Sequence, residues 1–248
     1  MNLAKHIKSE AYVLERVLPK HGESTYLHLS DLLMAMKDVA TETPLKILDY
    51  GCGGSPYKSL FPKADYSRAD HLQKEGEHLD YILGSDSMVK EKDQAFDFIL
   101  STQVLEHVGN PANYLKECFR LLKSGGNLFL TTHGSYPDHG CPYDYYRWTA
   151  DGLVRAIEAE GFNIIYIKKL TTGPRAFIQN CDTMINDLRA PRRTLFGFLL
   201  YGVRNFYRLL RPWIHRMCDL HFAAHRVASE SLDKHATYIV VACLAQKK

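Results

Sequence analysis

Residues 47–56 read Ile47-Leu48-Asp49-Tyr50-Gly51-Cys52-Gly53-Gly54-Ser55-Pro56. A short apolar run that ends in a glycine cluster reads as a buried strand entering a tight turn. Glycines at that point let the backbone turn sharply and approach a ligand closely. The plain alternative is a strand-to-helix turn with no ligand. A dinucleotide loop needs glycine or alanine where Pro56 stands, and a phosphate-binding P-loop needs a Gly-Lys-Ser or Gly-Lys-Thr step that is missing. Asp49 at the strand end suits a cationic or hydroxyl-bearing ligand better than a pyrophosphate.

Outward from this loop the pattern is strand, helix, strand. Further strands are expected at 64–70, 79–84, 96–103, 127–133, 162–170 and 236–246. Helices are expected at 3–18, 25–40, 111–123 and 150–160, the third opening on Pro111 and stopping at Ser124-Gly125-Gly126, the fourth capped by Thr149. This alternation predicts an α/β fold, Rossmann-like, with a seven-stranded, mostly parallel sheet and helices on both faces. Ligands in such sheets bind at the carboxyl ends of the strands. The expected organisation is one domain, 1–248. It comprises an N-terminal helical extension (1–43), a cofactor-binding core (44–173), a basic helical insertion (174–235) and a final strand (236–248).

The chain has 248 residues, 46% of them apolar and 24% charged, with net charge +3. That composition excludes a disulfide miniprotein, a collagen-like rod and a disordered tail. The charge does not by itself argue for nucleic acid. Six cysteines, none in a CxxC pair, suit reduced thiols in a cytoplasmic protein, and no metal site is expected from them. His133, His139 and Cys141 follow no recognised metal spacing. No secretory signal and no run of 18 apolar residues is present.

Several motifs in order carry a family resemblance. ILDYGCGGSPY, Asp70, Gly84-Ser85-Asp86, FDFILSTQVLEHV and the LLKSGG turn before NLFLTTHG together resemble a class I S-adenosylmethionine-dependent methyltransferase. The resemblance covers roughly residues 44–170 and the last strand, which it implies to be antiparallel. It implies S-adenosylmethionine as cofactor and S-adenosylhomocysteine as product. By the match, Asp49, Gly51, Gly53 and Gly54 lie against the methionine part and Asp70 binds the ribose hydroxyls. Ser85 and Asp86 fall near the adenine, and Gln103 sits beside the cofactor. Asp70 also qualifies on its own, since a carboxylate at the end of the second strand, 21 residues after Asp49, can accept from a ribose diol. VLEHVGNP and PYDYYRWTADGL resemble the methyltransferase type 11 group of bacterial polysaccharide and secondary-metabolite pathways, which implies a glycan, sugar or other small-molecule acceptor, methylated on oxygen.

Methyl transfer to a hydroxyl needs a base for its proton. His133, ending the fifth strand, is the first candidate, and His107, in LEHV, is the second. Asp144 and Arg147, in the aromatic loop 133–149, can fix hydroxyls or an anionic group, or can pair with each other and pin the loop. Phosphate, amine, quinone-like and RNA acceptors are the alternatives. So is a non-catalytic cofactor-binding or membrane-docked protein.

Residues 189–226 hold eight arginines, no lysine and one acid, Asp219. Leu199, Val203, Phe206, Leu210, Trp213, Met217 and Leu220 form one helical stripe, with Arg204, Arg208 and Arg211 on a neighbouring one. Pro212 should kink or divide the helix. Three arrangements fit. The stripe packs on the core, it lies on an anionic membrane at the inner face and so meets a lipid-linked acceptor, or it forms a homodimer face.

Overall fold

The run ahead of the glycine loop forms β1 (Lys46–Tyr50), between β2 (Asp65–Asp70) and β4 (Phe96–Thr102), both parallel to it. The computed structural model describes residues 3–73, 78–84, 86–139, 143–188, 194–228 and 236–248. Its other strands are β3 (Tyr81–Ile82), β5 (Leu122–His133), β6 (Phe162–Thr172), β7 (Val227–Ala228) and β8 (Tyr238–Lys247). They form one sheet in the order β3-β2-β1-β4-β5-β8-β6-β7. The last strand, β8, runs antiparallel to both β5 and β6.

The sheet has eight strands rather than seven. The additional one, β7, lies inside the stretch assigned to the helical insertion and pairs antiparallel with Lys169 and Leu170. Two residues are too few to show a strand period. β5 also begins earlier than expected. Phe96 faces Leu122 and Phe98 faces Asn127, so 123–126 bulge out, with Gly125 at φ +76°.

Helices α3 (Pro111–Leu121) and α4 (Ala150–Ala159) cover one face, burying Leu115, Cys118, Leu153 and Ile157 against β1, β4, β5 and β8. Asn110 and Thr149 cap them by accepting from the N–H groups of Asn113 and Gly152. The other face is covered by α2 (Tyr26–Asp38) and α5 (Gly173–Asp187). There Leu29, Leu32, Ala35 and Met36 meet Phe98, Leu100, Phe129 and Ile239. Each such buried side chain is worth about 1.5–3 kcal/mol. The N-terminal segment thus supplies part of the core. Between β1 and β2 only one short turn, Lys58–Leu60, is helical. Pro56 and Pro62 flank it, and Ser55 sits at φ +50°.

Helices α1 (Leu3–Val17) and α6 (Leu195–His221) complete the α-helices among the described residues. The apolar stripe of α6 does not pack on the core. Leu199, Val203, Phe206 and Trp213 are 57–63% exposed. The side turned inward is polar. Arg211 and His215 both reach Asp182 of α5, at 3.0 and 2.8 Å. Arg204 donates to the Leu188 carbonyl and Arg208 to Asn186. The arginine stripe is therefore tied to its own chain. Pro212 neither divides nor ends α6. Its ring lies where Gly22, at φ +96°, would carry a Cβ, so the 19–25 turn docks there.

A buried ion network fastens these layers. Arg175 of α5, 0% exposed, donates to both oxygens of Asp31 of α2, also 0% exposed, at 3.0 and 2.7 Å, and to Asp219 of α6 at 3.0 Å. Arg226 pairs with both carboxylates, and Tyr26 donates to Asp219. Five cysteines are free thiols: Cys52, Cys118, Cys181, Cys218 and Cys243. Cys141 lies outside the described residues. No helix among the described residues is long and apolar enough to cross a membrane.

Candidate active site

The carboxyl ends of β1, β4 and β5 lie side by side, which brings the glycine loop, Gln103 and His133 to one edge of the sheet. Gly51 has φ +79°, and a Cβ there would lie 2.6 Å from Val104. Only glycine fits. Gly53, at φ +51°, and Gly54 are roofed by Tyr12 of α1, 3.2–3.3 Å from where their Cβ atoms would stand. The Arg16 guanidinium lies 3.6 Å over the Tyr12 ring and holds it there.

Asp49 is 2% exposed and accepts from the Tyr66 hydroxyl at 2.8 Å. Burial pushes its carboxyl up to about 6, against the hydrogen bonds from Tyr66 and Ser55. A cation brought beside it would favour the ionised form. Asp70 accepts from the N–H groups of Gly53 and His71, both at 2.7 Å, and so ties the end of β2 to the glycine loop. Each oxygen keeps a lone pair for a further donor. Arg68 braces the same loop, donating to Ser55 at 2.8 Å and to the Gly53 carbonyl. Asp86 is exposed and accepts from Met88 N–H in the turn after β3, while Ser85 lies outside the described residues. Gln103, at φ +56°, donates to Thr131 at 3.2 Å, and its Oε1 is buried without a partner.

Beside this edge is a buried polar cluster. His133 is 4% exposed, stacks on Tyr136 at 4.2 Å and lies 4.8 Å from the His139 ring. Burial first, then the neighbouring histidines, hold it well below the ordinary imidazole range, so it is neutral. Glu106, 0% exposed, accepts from Thr132 at 2.8 Å, and its Oε1 lies 3.5 Å from His133 Nε2. Burial raises its carboxyl to about 7. His28 of α2 closes the cluster against His133 and Tyr136. His107 lies at the rim, with Nδ1 2.6 Å from the Tyr143 carbonyl. A carbonyl only accepts, so Nδ1 carries the proton and Nε2 is free to receive one.

Asp144 and Arg147 meet in a two-pronged pair, at 2.6 and 2.5 Å, and Arg147 also donates to the carbonyls of Tyr136, Pro137 and Tyr146. The pair holds the Asp144 carboxyl well below its ordinary range. These two side chains are engaged with each other and pin the loop, instead of both facing an acceptor.

Glu106, His28, Tyr136, Tyr12 and Arg68 were not singled out from sequence. Glu106 stands next to His107 in LEHV, which was the available signal. His28 and Tyr12 reach the site through helix packing, which leaves no local pattern.

The family model described as a methyltransferase domain matches residues 25–167, taking in α2, the glycine loop, Asp70, Gln103 and His133. The chain belongs to the class I S-adenosylmethionine-dependent methyltransferases. This methyltransferase is 32% identical over 194 residues to the ubiquinone biosynthesis O-methyltransferase of Ruegeria sp. (strain TM1040), covering 64% of this chain and 78% of that protein. Over 102 residues it is 36% identical to the protein of the same name from Maricaulis maris, covering 36% of this chain and 40% of that one. The [4+2]-cyclase SpnF superposes with TM-score 0.55 at 17% identity, over 98% of this chain and 94% of that one, a likeness of fold alone. S-adenosylmethionine is the family's cofactor.

Proposed function

We propose that this methyltransferase binds S-adenosylmethionine and moves its methyl group to an oxygen of a small-molecule acceptor, a hydroxylated quinone-like ring. The observation that carries the acceptor chemistry is the neutral, buried His133 with Glu106 3.5 Å away, at the same sheet edge as the glycine loop. Transfer is an in-line displacement at the sulfonium methyl. It requires the acceptor oxygen about 3–3.5 Å from the methyl carbon. Asp49 faces the cationic cofactor and Asp70 receives its ribose hydroxyls. His133 takes the acceptor proton, and the Glu106 carboxylate steadies the imidazolium. His107 is the second candidate base, through Nε2. Asp144 and Arg147 act as positioning residues, fixing the loop that carries His139 and Tyr143. Asp86 and Gln103 belong to the cofactor side.

The relatives' printed name supports a quinone-like acceptor, and the partly exposed Tyr136 and His139 rings beside His133 give the site an aromatic wall suited to a flat ring. A sugar hydroxyl, the acceptor first expected from the sequence, is the second choice. Incubation with radiolabelled cofactor and a panel of catechols, hydroxyquinols and nucleotide sugars tests this. Label is expected on phenolic oxygen. Label on sugars alone, or on none of the panel, would reject the acceptor class.

We propose also that the outer face of α6 lies on a membrane surface. Phe196, Phe198, Phe206, Leu209 and Trp213 are 61–77% exposed, Phe177 and Met184 of the neighbouring α5 are exposed as well, and α6 carries no acid before Asp219. Arg216 is exposed and complements anionic headgroups. A quinone-like acceptor partitions into the same surface. Sedimentation with phosphatidylglycerol vesicles is expected to carry the protein down. Phe198→Ser with Phe206→Ser and Trp213→Ser should leave it in solution. Wild-type protein that stays in the supernatant, or that buries this face in a lipid-free dimer, overturns the idea.

A further inference from the structure

We propose that Glu106, His133 and His139 form a binding site for a zinc-type divalent cation. This rests on the reading of the pocket given above and adds a ligand to it. One donor atom from each of the three side chains lies within 4.8 Å of the others. Glu106 is 0% exposed, and its Oε1 receives no hydrogen bond. A buried carboxylate oxygen with no partner is costly. His133 Nε2 lies 3.5 Å from Oε1. That is long for a hydrogen bond. It is close to the spacing of two ligands each about 2.1 Å from one tetrahedral ion.

The donors are held in place by their surroundings. Thr132 occupies the other Glu106 oxygen at 2.8 Å, which leaves Oε1 to the cluster. Stacking on Tyr136 fixes the plane of His133. Asp144 lies 3.2 Å from His139 Nδ1, the kind of outer carboxylate that orients a ligating imidazole. Two imidazoles and one carboxylate are the donor set of zinc sites that keep a fourth position open. Magnesium and calcium prefer all-oxygen shells. The glycine loop and Asp70 lie outside the three ligands, so cofactor binding continues.

The test is titration of the untagged protein with zinc chloride by calorimetry. It is paired with cobalt chloride read by visible absorption, and S-adenosylhomocysteine is titrated in parallel. One equivalent of zinc, an intense tetrahedral cobalt band, and loss of both in His139→Ala are expected. His107→Ala, a change at the rim of the same cluster, should keep both. His139→Ala alters a loop side chain, and an unchanged melting temperature shows that it folds. No zinc uptake, or equal uptake in His139→Ala, overturns the site whatever the S-adenosylhomocysteine titration shows. Failure to bind S-adenosylhomocysteine would instead reject the cofactor reading, while the zinc arm still decides the metal site.

Discussion

Asp31→Ala is expected to lower stability by about 3–5 kcal/mol, the usual cost of removing one partner from a buried ion pair. For a chain of this size that is a fall in Tm on the order of 10 °C. Arg175 would keep Asp219 but lose both Asp31 contacts while still fully buried. The effect should extend beyond α2 and α5, because Arg226 and Tyr26 share the same two carboxylates. The double change Asp31→Leu with Arg175→Met should cost less than the single one, since no charge is then left unpaired. Thermal and urea unfolding of the two variants beside the wild-type protein measures this. A loss below about 1 kcal/mol for Asp31→Ala would show that the network is not what binds α2 to the rest.

The second large effect belongs to the proton. His133→Ala is expected to lower kcat by about 10²–10⁴, the range for losing a positioned base. Affinity for S-adenosylhomocysteine should hold. Glu106→Gln should lower kcat less, because it removes the charge that steadies the imidazolium and keeps the imidazole itself. Single-turnover rates at saturating cofactor separate these cases. A His133→Ala enzyme with kcat within about threefold of wild type would move the base to His107 or to solvent.

Most of the sheet was legible because its central strands are buried on both faces. FDFILST and NLFLTTH read as apolar runs for that reason, and both became strands. The glycine loop was legible because φ at Gly51 and Gly53 admits little else. What escaped was non-local. Arg211 and His215 point inward because Asp182, on another helix, waits for them, and no hydrophobic period along α6 records that acid. The apolar stripe therefore faces out, opposite to what amphipathicity alone suggests. β7 was missed because two residues carry no period. Glu106 escaped since it sits in a short turn after β4 while its partners, Thr132 and His133, come from β5. The pairing of Asp144 with Arg147 was foreseeable from their spacing of three, and the loop carbonyls that complete the set were not.

The same geometry explains why the cofactor half is easier to read than the acceptor half. Asp49, the glycines and Asp70 sit at the adjacent ends of two paired strands, β1 and β2. The proposed acceptor half draws on α2, the segment after β4, the end of β5 and the loop beyond it. The cofactor assignment is therefore the claim on which the rest depends. Calorimetric titration with S-adenosylmethionine and S-adenosylhomocysteine, beside Asp70→Ala, tests it most directly. Micromolar binding of both ligands, lost in Asp70→Ala while the fold persists, is the predicted result; no binding to the wild-type protein, or undiminished binding to the variant, would contradict it.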